Sequence, residues 1–168
     1  MVSGAFADYW KLDSMNLDPT RSTPHGFWRF AANYLMAARM VDVKIHGEGQ
    51  LFFPTLYLYG IAIELSLKAF LLKRGRTLAE IKSLSHNLTK ALALARRHKL
   101  GRVVRLDRRE VDAIRALNIT YSSNILRYIV TGATKVPQLV YVARAAEDLV
   151  VGLEFLCTGT KGRVQHAV

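Results

Sequence analysis

Three observations predict an all-α fold, a four-helix up-and-down bundle with short extra helices. Apolar residues recur at intervals of three and four through most of the chain. Residues that start and stop helices punctuate it at matching distances. No segment alternates apolar and polar residues between hairpin turns, as strands would.

The elements follow in order. Thr23-Pro24 reads as an N-cap followed by proline at the first helical position. Phe27, Phe30, Ala31, Tyr34, Leu35, Ala38 and Val41 then keep helical spacing up to His46, and Gly47-Glu48-Gly49 ends the segment. A second helix is expected from about Phe52 to Arg74, with Gly75 as its stop. Thr77 and Glu80 form a capping box for a short third helix. Ser85 is the expected cap of the next, which closes on Arg96-Arg97-His98-Lys99 before Gly101, cations lying where the helix dipole favours them. Asp107 and Glu110 cap a further helix with Val111, Ile114 and Leu117 on its inner face. After Val136-Pro137, residues Leu139, Val142, Ala146, Leu149, Leu153 and Leu156 make a packing seam, with Arg144, Glu147, Asp148 and Glu154 away from it. Asn118 to Thr134, rich in β-branched and aromatic residues, reads as an irregular connection broken at Ser122-Ser123-Asn124. The bundle is therefore placed at residues 23–158, with an N-terminal extension at 1–22 and a flexible tail at 159–168.

Composition narrows the class. A chain of 168 residues, 51% hydrophobic, has length enough for one domain with a sizeable core. A single Cys157 excludes an internal disulfide and any cysteine-rich metal site. Asp8, Lys11 and Asp13 interrupt the opening segment, so no secretory signal is expected and the cytoplasm is the expected compartment. The net charge of +11 is concentrated: from Lys68 to Arg109 thirteen Lys or Arg stand against Glu80 and Asp107, and the remainder balances. Such a block suits a phosphate-rich partner or a solvated basic face. No amphipathic helix pairs a basic face with an uncovered apolar one, so a membrane is not an expected partner.

Within the second helix, the seventeen residues Leu56 to Leu72 hold only two charges, Glu64 and Lys68. Their i,i+4 spacing places them on one face, where they can pair. Charges on a helix apolar all round must meet a partner, a cavity or a groove. In a groove, Lys68 could neutralise a phosphate while Glu64 orients it or a ribose hydroxyl; the alternative is an internal pair with added hydrogen bonds. His86, in the first turn of its helix just after the expected cap, offers an imidazole of a kind that titrates near neutrality for acid–base work or ligand contact, or simply helix-end bonds together with Asn87. Arg127, between Tyr121 and Tyr128, is a candidate grip on phosphate or base. Arg96 and Arg97, with Lys99, Arg102 and Arg105, form a basic edge able to add nonspecific RNA affinity. Phosphate-gripping glycine loops, HExxH, G-x-S-x-G and paired metal-ligand spacings are missing, so neither a metal nor a cofactor is expected.

Three features in order, the Glu64-Leu-Ser-Leu-Lys68-Ala69 helix, the Ser85-His86-Asn87-Leu88 step and the late Leu126-Arg127-Tyr128, resemble a HEPN domain (higher-eukaryote and prokaryote nucleotide binding). The resemblance covers about residues 52 to 156. It implies a helical bundle that forms homodimers, often with a cleft near the dimer interface. Many members are metal-independent RNases of toxin–antitoxin, defence or RNA-processing systems; others bind nucleotides or serve as interaction domains. Nuclease members carry Arg, four to six residues, then His late in the domain, whereas here the next histidine after Arg127 is His166. Only Arg39 and His46 have the spacing, at the end of the first helix. Candidate catalytic residues are thus His86, Arg127, Arg39 and His46. Candidate RNA- or nucleotide-binding residues are Glu64, Lys68, Asn87, Arg127, Tyr128, Arg96 and Arg97. The alternative is a non-catalytic module whose partner is a cognate antitoxin or nucleotidyltransferase.

Overall fold

Helices account for nearly all of the described chain, and no strand occurs among the described residues. The structure is a computed structural model describing residues 22–45, 51–123 and 136–160. The elements are α1 (Pro24–Ile45), α2 (Phe52–Lys73), α3 (Leu78–Ser83), α4 (Leu88–Arg97), a 3₁₀ turn (Leu100–Arg102), α5 (Arg108–Ser122) and α6 (Leu139–Thr158).

Local chemistry sets most of the boundaries. Thr23 Oγ1 accepts the Gly26 N–H at 2.9 Å, satisfying one of the donors a helix start leaves unpaired. Thr77 with Glu80, and Asp107 with Glu110, form reciprocal capping boxes at the starts of α3 and α5. Gly75, at φ +83°, takes the left-handed conformation that stops α2.

Three boundaries differ from the expectations. The cap of α4 is Asn87, whose Oδ1 accepts the Lys90 N–H at 2.8 Å; Ser85 instead occupies the left-handed region at φ +50°. Helix α4 ends at Arg97 rather than continuing through Lys99, which takes the left-handed region at φ +67°. Helix α5 runs on to Ser122, so Asn118–Ser122 is helical rather than irregular. The break at Ser123 stands, and residues 124–135 lie outside the described chain.

The core is organised around α2, which packs against α1, α4 and α6 and more lightly on α3 and α5. Leu56, Ile63, Leu67, Phe70 and Leu71 are fully buried, because nearly every face of this helix meets a neighbour. The α6 seam buries Val142, Ala146, Leu149 and Leu153 as its spacing predicts. Glu154, expected to face away, is buried as well. Trp28 Nε1 donates to the Val150 carbonyl at 2.8 Å, tying α1 to α6. Near the end of α6, Cys157 is buried. By length and composition α2 could cross a membrane, yet 67% of its most apolar window is buried inside the protein, as befits a core helix.

Candidate functional site

The two charges of α2 define the site. Glu64 is 5% exposed and accepts three hydrogen bonds. Lys68 Nζ reaches Oε1 at 2.5 Å, Tyr121 Oη donates to Oε2 at 2.6 Å, and His86 Nδ1 lies 3.1 Å from Oε2. Burial alone would push the carboxyl up. The bonds from Lys68, Tyr121 and His86, with the lysine's charge, outweigh it and hold Glu64 below the usual carboxylate range. An ionised carboxylate only accepts, so Nδ1 of His86 carries a hydrogen. In the neutral ring Nε2 is then the acceptor, and no group among the described residues bonds to it.

Each partner is brought in by a different piece of backbone. Lys68 comes from the same helix, one turn on. His86 follows the left-handed Ser85, a conformation that costs a non-glycine residue about 1 kcal/mol and turns the chain sharply before α4. Tyr121 comes from the last turn of α5, its ring against Gly60 of α2. A Cβ on Gly60 would stand 2.6 Å from that ring, so only glycine lets Tyr121 reach Glu64.

This network floors a cleft of about 590 Å³. Its walls are Phe27, Phe30 and Tyr34 of α1 and Tyr57, Ile61 and Leu65 of α2; Glu64, His86 and Tyr121 are also in its lining. The Tyr57 and Tyr121 rings lie 5.8 Å apart, tilted by 35°. Phe30 is 60% exposed, an aromatic ring held at the mouth of the cleft. Among the described residues, no Lys or Arg lines it. The arrangement provides apolar walls for a flat ring, a neutralised carboxylate and one imidazole nitrogen.

The predicted residues are distributed unevenly. Glu64, Lys68 and His86 come together, but Lys68 is committed to Glu64, with its side chain only 12% exposed. Asn87 is occupied as the α4 cap. Arg39 pairs with Glu147 of α6 at 2.6 Å and does not line the cleft. Arg96 and Arg97 are exposed in the last turn of α4 and form no ion pair among the described residues. Arg96 and Arg105 flank a second hollow of about 320 Å³ with Leu100, Gly101, Val104 and Leu106. His46, Arg127 and Tyr128 lie outside the described residues. Among the described residues, no group of three His, Cys, Asp or Glu is placed to hold a metal ion.

Sequence reasoning allows the Glu64–Lys68 pair a bond to Arg127 or a tyrosine without singling out Tyr121, and it missed Gly60 as the position that admits that ring and the cleft walls. Phe27, Phe30 and Tyr34 were expected on the inner face of α1, and nothing in their spacing separates a cleft from a core. The one glycine of α2, at position 60, was the available signal. In comparison with known proteins, no family model, no curated protein and no solved structure matches the chain.

Proposed function

We propose that the chain is a HEPN-like helical bundle that binds RNA or a nucleotide as a homodimer in a prokaryotic defence or stress system. In this reading α1, α2, α5 and α6 make the four-helix up-and-down bundle, and α3 with the 3₁₀ turn are its extra pieces. The observation that carries it is the bond between His86 and Glu64, which unites two segments of the resemblance at one cleft. The exposed cations Arg96, Arg97, Lys99, Arg102 and Arg105, which form no ion pair among the described residues, supply a place for phosphates. Cleavage is not part of the proposal, since Arg39 is held by Glu147 and the late Arg…His spacing is missing.

Binding of a single-stranded RNA, followed at rising salt, tests it. Affinity is expected at low salt and should fall steeply as salt rises, because phosphate contacts release counterions. No detectable binding of RNA or of any mononucleotide at low salt overturns the proposal. RNA that is degraded without added metal, and spared by His86→Ala, would add catalysis to it.

A second reading, a module for an antitoxin or nucleotidyltransferase, draws on one further observation. Met36, Met40 and Val43 of α1 share one face and are all more than half exposed, an apolar row of the kind partner helices use. Co-purification with the product of an adjacent gene would favour it.

A further inference from the structure

We infer that the cleft receives the base of a nucleotide, edge toward His86, while the sugar and phosphates remain outside. This rests on the nucleotide-binding reading above and names which part of the ligand the cleft recognises. The first ground is electrostatic. Among the described residues the cleft lining has no Lys or Arg, and its one carboxylate is that of Glu64. Lys68 already bonds to that carboxylate. A phosphate there would leave water for a site with no uncommitted countercharge among the described residues, which is unfavourable.

The second ground is shape and surface. Phe27, Phe30, Tyr34 and Tyr57 line the walls, and aromatic faces hold bases by stacking irrespective of sequence. The volume of about 590 Å³ falls within the roughly 300–1,000 Å³ of ordinary ligand sites.

The third ground is hydrogen bonding. With Nδ1 directed at Glu64, Nε2 is the ring nitrogen left over, an acceptor whenever the imidazole is neutral, and the side chain is 42% exposed. Every nucleobase carries an N–H donor on an edge, whereas ribose phosphate offers no flat donor edge to a stacked site. Glu64 and Tyr121 fix the imidazole plane, so they are positioning residues and His86 makes the contact. The exposed arginines Arg96 and Arg97 stand at the far end of α4, ten residues and about 15 Å along its axis, leaving the phosphates a separate surface.

Equilibrium dialysis of the full chain against nucleosides, ribose 5-phosphate, single-stranded RNA and an abasic oligomer of equal length tests the assignment. Nucleosides are expected to bind saturably and ribose 5-phosphate not to compete. RNA should bind at least tenfold more tightly than the abasic oligomer. Phe30→Ala, at an exposed position outside the Glu64 network, should weaken nucleoside binding roughly tenfold by loss of stacking, with an unchanged melting temperature. His86→Ala should do the same; Phe30→Ala keeps the test decisive if His86→Ala is destabilised. RNA and abasic oligomer binding equally, with no nucleoside binding, overturns the base assignment while leaving RNA binding at the basic edge intact. Binding of neither RNA nor nucleoside overturns both readings. Nucleoside binding that Phe30→Ala and His86→Ala leave unchanged overturns the cleft as its location.

Discussion

Glu64 is the residue on which most of the local structure converges, and its removal tests how much. In Lys68→Met, the buried carboxylate loses its countercharge while keeping Tyr121 and His86. Breaking a buried ion pair from one side costs about 3–5 kcal/mol, and urea unfolding should show a loss near the lower figure because two donors remain. The double variant Glu64→Leu/Lys68→Met should recover much of it, since the desolvation cost goes with both charges. Acidity offers an independent check. The folded-state pKa of Glu64 lies below its unfolded value, so its contribution is complete above the ordinary carboxylate value of about 4.3 and disappears as pH falls through the folded one. Glu64→Gln should therefore flatten the acid limb of a stability–pH curve. Glu110 acts in the opposite direction. Burial, with Asp148 and Asp107 nearby, pushes its carboxyl up, so the stability it lends is present at low pH and lost as pH rises through its folded value.

At the scale of elements, the decisive contact is between α5 and α2 at Gly60. Gly60→Ala sets a Cβ 2.6 Å from the Tyr121 ring, and a ring packed in a helix cannot swing away as a flexible chain end would. Helix α5 must shift, at a cost of about 1–3 kcal/mol. The expected result is a lower melting temperature together with a weakened Tyr121–Glu64 bond, visible as a change in tyrosine absorbance. Legibility from sequence divides along the same line. Caps at Thr23, Thr77 and Asp107 were readable because their partners lie three residues away. The Glu64–Lys68 pair was readable for the same reason, at four residues. The Tyr121–Glu64 bond spans 57 residues, and no local pattern encodes it. Ser85 was misplaced as a cap because a hydroxyl before a helix has that propensity, while the actual backbone turns left-handed there and passes the role to Asn87. Burial of Glu154 was missed because helical spacing assumes one inner face, and α6 meets α1, α2 and α5.

For the whole molecule, the distribution of charge makes the sharpest prediction. If Arg96 and Arg97 meet RNA phosphates, replacing both with Ser should reduce the slope of log affinity against log salt by roughly 1.4, at about 0.7 per phosphate contact on a single strand. Melting temperature should change little, since both side chains are exposed and neither forms an ion pair among the described residues. An unchanged slope would place the RNA surface elsewhere. Arg39 should behave in the reverse manner: its pair with Glu147 joins α1 to α6, so Arg39→Ala should lower stability by up to about 1 kcal/mol and leave the salt slope alone. Cys157 offers a way to watch the molecule come apart. It is the chain's only thiol, it is buried in α6, and burial raises its pKa to about 11. Thiolate is scarce at neutral pH and reagent cannot reach the sulfur. A thiol-specific dye added to the native protein therefore acts as a stopwatch for departures of α6 from the core. Where reclosing outruns the dye, its uptake rate relative to that of a free thiol reports the free energy of that opening, with no mutation or denaturant required.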